Sequence, residues 1–137
     1  MLRIIKHTLL IVMTMYATQA SCCNCNDSIT SLSASEFEKK IKTGSMQLLD
    51  VRTPQEYDEA HIDKAININV QSDDFQNIAE KKLSKGSTIL IYCRSGRRSM
   101  DAADILTKSG YKIINLKGGI IEWKDEGFPV ISTDLSK

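Results

Sequence analysis

The chain has 137 residues, the size of one ordinary globular domain with a short leader. Charged residues make up 26% of it and the formal net charge is +1, so no overall electrostatic field attracts it to nucleic acid or anionic lipid. One core and one site are therefore expected, and any recognition of an anion has to come from a local cluster of charges.

Residues 1–20 have the pattern of an export signal. Arg3 and Lys6 precede an apolar stretch from Leu9 to Ala17, which gives way to small and polar residues. The stretch is shorter than the about 20 apolar residues that a membrane-spanning helix needs. We expect a signal peptide here and export to the periplasm or bacterial cell envelope, with an uncleaved interfacial anchor as the alternative.

A polar tail follows over residues 21–30, and its cysteines are Cys22, Cys23 and Cys25. Cys22 and Cys25 have CxxC spacing, but the sequence offers neither a second ligand pair for zinc nor a βαβ context for a redox motif. The residues before Cys22 are similar to the end of a lipoprotein processing site, although Gln19 stands where an aliphatic residue is usual. Free export after Ala20 and lipidation at Cys22, with membrane anchoring, both stay open.

Beyond the tail, helical and strand patterns alternate, which is typical of a parallel α/β sheet. Ser33 and Glu36 form a capping box for a helix that ends at Gly44. Residues 31–133 are predicted to form one α/β domain, with a mostly parallel sheet of about five strands and helices on both faces.

A short apolar run, Met46–Val51, predicts the next buried strand. Thr53 and Glu56 then form a second capping box, so another helix starts immediately after the strand. This places Asp50 and Arg52 at the strand's carboxyl end.

Apolar and polar residues alternate over residues 66–70, which predicts a half-buried strand, and the spacing of apolar residues over residues 75–86 predicts a helix. Thr88–Tyr92 is the strongest buried-strand run in the chain, and it delivers Cys93 to a loop. The later predicted elements are a helix over Ser99–Ser109, a strand over Lys112–Leu116 and a short helix around Trp123 after Gly118-Gly119.

The loop over residues 93–99 combines a thiol with three arginines before a helix. Ligands bind at this edge of open parallel sheets, where loop N–H groups and the positive end of the next helix dipole converge. These groups favour the nucleophilic thiolate of Cys93 and suit an anion such as a thiosulfonate, whereas a buried core thiol fits the setting poorly. The candidate substrate-binding residues are Arg94, Ser95, Gly96, Arg97 and Arg98. At least one arginine is expected to point into solvent.

Three motifs in register resemble the rhodanese-like domain family over roughly Ser31 to Val130. They are Leu48–Arg52 with Glu56-Tyr57 and His61-Ile62, the loop that starts at Cys93, and Gly118–Ile120 with Trp123 and Gly127–Val130. The resemblance implies a single rhodanese-like domain in which Cys93 carries sulfur as a persulfide and Arg94 to Arg98 cradle the sulfur and its donor. Asp50, Arg52 and Glu56 match the family's charged support, which we interpret as an ion-pair and capping scaffold, and we place Ser99 with them.

We interpret His61 as a structural residue. Two positions near it depart from the family pattern. The family usually has glycine before this histidine and again shortly after it, whereas this chain has Ala60 and Lys64. If either position has a positive φ, the side chain there costs stability or shifts the turn.

The reaction that the resemblance implies is sulfur transfer in two steps. The Cys93 thiolate takes a sulfane sulfur from a small anion such as thiosulfate, and a thiol or cyanide then removes it. Neither a metal nor an organic cofactor is implied, and we expect no nucleic-acid partner and a monomer or weak dimer.

Three alternatives differ in chemistry. A cysteine phosphatase or arsenate reductase of related fold needs an arginine six positions after the cysteine, where this chain has Ser99, so phosphate is disfavoured. A sulfur carrier or protein-interaction module of the cell envelope, without turnover of small donors, stays open. So does thiol redox work in which Cys93 pairs with the tail cysteines.

Overall fold

A computed structural model describes residues 28–133 of the chain. The predicted signal peptide, residues 1–20, and the tail cysteines Cys22, Cys23 and Cys25 lie outside the described residues. Within the described part, no helix has the length and apolar character needed to cross a membrane.

Strands and helices alternate along residues 28–133. The strands are β1 (Ile29–Leu32), β2 (Gln47–Asp50), β3 (Ile66–Asn67), β4 (Thr88–Tyr92) and β5 (Lys112–Leu116). The helices are α1 (Ala34–Lys42), α2 (Pro54–Glu59), α3 (Phe75–Lys82), α4 (Arg97–Lys108) and α5 (Gly119–Asp125).

The five strands form one parallel sheet in the order β1-β5-β4-β2-β3. This confirms the predicted α/β class with a central parallel sheet. β4 is the middle strand, and a parallel strand covered on both faces needs a continuous apolar run, which Ile89 to Tyr92 supplies. An isolated antiparallel bridge joins His61 to Ile131 and fastens the end of the described chain to the domain.

Helices cover both faces of the sheet and form two cores. Phe75 and Ala79 of α3 and Leu106 of α4 pack against one face, together with Cys93. Phe37 of α1 and Trp123 of α5 pack against the other. The sheet therefore separates the environment of Cys93 from that of Tyr92, the residue before it.

The two predicted capping boxes are present. Glu36 accepts a hydrogen bond from the backbone N–H of Ser33 at 3.1 Å, and Glu56 accepts one from that of Thr53 at 3.1 Å. Each box satisfies N–H groups that the first helical turn leaves without a partner. Because these caps are local in sequence, the starts of α1 and α2 lie where the pattern puts them.

β1 starts inside the segment predicted as a polar tail, residues 21–30, and α3 ends at Lys82 instead of continuing to Gly86. Two further elements, β3 and α4, also differ from their predicted bounds. β3 covers only Ile66–Asn67 instead of continuing to Val70, because it lies at the edge of the sheet. After β3 the chain stays beside β2 through single hydrogen bonds, such as the one from Val70 N–H to the Val51 carbonyl at 3.1 Å. α4 starts at Arg97, two residues before the predicted Ser99, because Gly96 takes the N-cap position with φ of 96°.

Candidate functional site

Cys93 follows the central strand and is held by two donors from its own loop. The backbone N–H of Gly96 donates to Cys93 Sγ at 3.1 Å. The buried hydroxyl of Ser99 lies 3.4 Å from the same sulfur and 3.0 Å from the Gly96 carbonyl oxygen, and its one proton can be donated to either. Only 1% of the Cys93 surface is exposed. Since α4 starts at Arg97, the positive end of its dipole also faces the sulfur. Hydrogen-bond donors and a helix N-terminus together stabilise negative charge on sulfur.

The turn that starts α5 forms one wall of this loop. The N–H groups of Ile120 and Ile121 donate to the carbonyls of Cys93 and Arg94 at 2.9 and 3.2 Å. A Cβ on Gly96 would lie 2.1 Å from the carbonyl oxygen of Lys117, and Gly96 has φ of 96°, so only glycine fits there. The Gly118-Gly119 motif indicated a turn, but the sequence did not reveal that this turn would hold the cysteine loop.

The loop arginines divide into two kinds. Arg94 and Arg97 are exposed, as is Ser95, which agrees with the expectation that at least one arginine points into solvent. Arg98 turns instead toward α2, where its two terminal nitrogens donate to both carboxylate oxygens of Glu56 at 2.9 and 2.7 Å. The assignment of the loop residues to substrate binding stays a prediction. The sequence did not indicate that Arg98 pairs with Glu56.

Glu56 joins α2 to the cysteine loop. One of its oxygens accepts hydrogen bonds from Thr53 at the start of α2 and also from Arg98 of α4. The bond from Arg98 is the main cause that lowers the pKa of Glu56 from 4.5 to about 2. The same pairing raises the pKa of Arg98. Both groups therefore stay charged at neutral pH, and the ion pair fixes the direction of Arg98.

Asp50 and Arg52 form a buried ion pair on the opposite face of the sheet from Cys93. Asp50 is paired in register with Tyr92, and Arg52 Nη2 lies 2.6 Å from Asp50 Oδ2. Arg52 also donates to the carbonyl of Ala60 at 2.7 Å and lies 5.6 Å from the centre of the Tyr92 ring. Burial, and next the charge of Asp50, raise the pKa of Tyr92. This geometry is that of a scaffold which braces the strand ends and the segment after α2.

Residues 33–126 match the family described as Rhodanese-like domain. The chain belongs to the rhodanese-like domain family. It is 33% identical over 103 residues to a protein named sulfurtransferase from Allochromatium vinosum, covering 74% of this chain and 94% of the relative. It is 35% identical over 83 residues to thiosulfate sulfurtransferase PspE of Escherichia coli, covering 61% of this chain and 76% of the relative. The crystal structure of a rhodanese-related protein from Thermoplasma volcanium matches with a TM-score of 0.65 and 31% identity, over 74% of this chain and 97% of that one.

The departures from the rhodanese-like pattern have different structural consequences. Ala60 has φ of −167°, an extended conformation that any residue adopts. Lys64 has φ of 64°, in the left-handed region that favours glycine. The chain therefore carries backbone strain at Lys64 and none at Ala60.

His61 of the rhodanese-like motif is a packing residue in this structure. Its ring stacks on Tyr57 with centroids 3.7 Å apart, and its Nδ1 lies 2.7 Å from the Tyr57 carbonyl oxygen. Its backbone forms the bridge to Ile131. These contacts are structural, and they join α2 to the end of the described chain.

The described residues 28–133 contain no group of three or more His, Cys, Asp or Glu side chains placed to hold a metal ion. The rhodanese-like site itself offers one sulfur atom that accepts the Gly96 N–H and has the Ser99 hydroxyl within reach. Arg94 and Arg97 add positive charge to the exposed side of the loop. Such an arrangement suits a sulfur nucleophile that receives an anionic donor.

Proposed function

We propose that the protein is a sulfurtransferase that moves a sulfane sulfur from thiosulfate, or a similar anion, to a thiol or cyanide. The Cys93 thiolate attacks the outer sulfur of thiosulfate, a bond forms to Cys93 Sγ, the sulfur–sulfur bond of thiosulfate breaks, and sulfite leaves with the electron pair. The acceptor then attacks the outer sulfur of the persulfide, and Cys93 leaves as the thiolate. This is covalent catalysis in two half-reactions.

The observation that carries this proposal is the placing of two donor groups at Cys93 Sγ: the Gly96 N–H donates at 3.1 Å, and the Ser99 hydroxyl, 3.4 Å away, can turn its proton from the Gly96 carbonyl to the sulfur. They stabilise the thiolate before the first half-reaction and again when it is released in the second. The backbone hydrogen bonds between the loop and the start of α5 hold the loop, and with it these donors, in place before substrate binds. In this proposal Arg94 and Arg97 hold the sulfonate oxygens, while the ion pair of Arg98 with Glu56 braces the loop against α2.

The names of the relatives support the reaction class. Both the Allochromatium vinosum and the Escherichia coli relatives are named sulfurtransferases, and the second name specifies thiosulfate. Our proposal goes beyond this reaction class in naming thiosulfate as the donor and cyanide as an acceptor for this chain.

Intact mass spectrometry after incubation with thiosulfate tests the first half-reaction. We expect a gain of one sulfur atom, located at Cys93 by peptide mapping, and no gain in the Cys93→Ser protein. A matched control replaces Cys22, Cys23 and Cys25 together with serine and is expected to keep the gain. If the Cys93→Ser protein still converted thiosulfate and cyanide to sulfite and thiocyanate, the proposal would be wrong.

The second half-reaction separates a turnover enzyme from a sulfur carrier. Cyanide added to the loaded protein is expected to remove the sulfur, release thiocyanate and allow a second round with thiosulfate. A protein that loads once and keeps its sulfur against cyanide is a carrier. Turnover of an aryl phosphate at a comparable rate would instead favour the phosphatase alternative.

We also propose that the domain acts after export to the cell envelope. The support is the charged, apolar and small-residue pattern of residues 1–20. The intact mass of protein isolated from cells reports leader cleavage, and labelled fatty acid with globomycin distinguishes lipidation at Cys22 from free export after Ala20. Retention of the full leader in cytoplasmic protein would contradict this proposal.

A further inference from the structure

The Cys93 loop is in backbone contact with the turn that starts α5. The Lys117 carbonyl faces Gly96 so closely that a Cβ there would lie 2.1 Å from it, and Ile121 N–H donates to the Arg94 carbonyl at 3.2 Å. We call the exposed side chains of Arg94, Arg97, Lys117 and Ile121 the acceptor face. Backbone contacts fix their main chains relative to Cys93.

The acceptor face has three cations whose side chains have no hydrogen bond or ion pair with any residue of the described range 28–133. By contrast, Arg98 of the same loop is fully engaged by Glu56. The nearest acid on α5, Glu122, is also engaged, because it accepts a hydrogen bond from the Gly118 N–H at 2.8 Å. The positive charge of the face is therefore not neutralised within the described part of the chain.

Ile121 adds an apolar contact to this positive surface. It is 42% exposed, and within residues 28–133 the other large apolar side chain that is exposed is Ile131. Ile131 lies at the bridge to His61. On such a surface an apolar side chain can supply affinity for a partner, while the cations supply its orientation.

We propose that the acceptor face docks a protein that presents an acceptor cysteine among acidic residues, next to an apolar side chain. This inference rests on the proposed function and names the acceptor of its second half-reaction. The partner's thiolate attacks the outer sulfur of the Cys93 persulfide, a new sulfur–sulfur bond forms on the partner, and Cys93 leaves as the thiolate. Because Cys93 itself is 1% exposed, the partner has to approach over the exposed loop side chains.

Two synthetic peptides test the charge preference. Each has one cysteine and one leucine, and they differ only in carrying aspartates or lysines around the cysteine. The full chain is loaded with thiosulfate, freed of excess donor and mixed with either peptide, and loss of sulfur is followed by intact mass. Rates are divided by the thiolate fraction of each peptide, because neighbouring charge shifts thiol ionisation.

We expect the acidic peptide to accept sulfur about tenfold faster than the basic one at low salt, with the preference falling as salt is added. Lys117→Gln is expected to lower this preference about threefold. Ile121→Ser should slow both peptides alike and leave removal of sulfur by cyanide unchanged. Lys124→Gln, which removes an exposed lysine at the other end of α5, is the matched control and should change nothing.

The outcomes separate the two proposals. Failure of the wild-type protein to load sulfur refutes the proposed function. The proposal for the acceptor face then fails as well, because it depends on a loaded Cys93. Normal loading with equal transfer to both peptides overturns the acceptor face alone. The same holds if Lys124→Gln lowers the preference as much as Lys117→Gln does, since the effect is then one of net charge and not of this surface.

Discussion

Replacing Lys64 with glycine is expected to stabilise the protein, whereas glycine introduced at most positions destabilises. Lys64 is the residue other than glycine that has positive φ within the described range 28–133, at 64°. Its side chain is exposed, so few contacts are lost with it. The left-handed conformation costs an L-residue about 1–2 kcal/mol. Glycine avoids this cost but loses about 0.5–1 kcal/mol more backbone entropy on folding. The expected net gain is about 0.5–1 kcal/mol.

Urea denaturation measures this gain in the free energy of unfolding, provided that the m-value does not change. A thermal scan should show a rise of about 2–6 °C for a domain of this size. Ala60→Gly is the matched control, because it introduces the family's other glycine at φ of −167°, where alanine is unstrained. It is expected to destabilise by about 0.5–1 kcal/mol. Equal destabilisation by both variants would refute the assignment of strain to Lys64.

The remaining predictions concern the supports of the cysteine loop. Because Arg98 lowers the pKa of Glu56 from 4.5 to about 2, the stability that this ion pair contributes is complete above pH 4.5 and is lost as pH falls toward 2. The difference in urea midpoint between wild type and Glu56→Gln should therefore shrink over that window, and a constant difference would show that the charge of Glu56 is unimportant. Asp50→Ala leaves Arg52 buried without its charged partner and should lower the free energy of unfolding, measured by urea titration, by about 3–5 kcal/mol. A loss under about 1 kcal/mol would contradict this expectation. Gly96→Ala forces a Cβ against the Lys117 carbonyl and should abolish sulfur loading seen by intact mass, whereas Gly110→Ala, also at positive φ but with open space around its Cβ position, should load normally.

Those parts of the structure that depend on neighbouring residues were predictable from the sequence. The boxes at Ser33 and Thr53 mark helix starts, because a side chain reaches a backbone N–H only three residues away. The apolar run of β4 marked the central strand, and with it the place of Cys93 at the carboxyl edge of the sheet. Alternating elements then gave the parallel α/β class.

Contacts between distant segments were not predictable in the same way. Glu56 and Arg98 are 42 residues apart in sequence, and nothing local to Arg98 distinguishes it from Arg94 or Arg97. The start of α4 was placed too late, because Ser99 has the residue type of a helix cap whereas the chain uses Gly96 in a left-handed conformation. Ser99 instead lies inside the loop, with its hydroxyl 3.4 Å from Cys93 Sγ and 3.0 Å from the Gly96 carbonyl oxygen, which only the folded loop reveals.

The parallel direction of β1 and β4 places the start of β1 and the reactive loop at opposite edges of the sheet. β1 enters the sheet at Ile29, opposite Ile113, and Ile113 is opposite Ile89 near the start of β4. Cys93 lies past the other end of β4, about 13 Å further along the strand direction. The chain therefore enters the domain at the amino edge of the sheet and presents its cysteine loop at the carboxyl edge, so a partner that reaches Cys93 does so from the side opposite this entry.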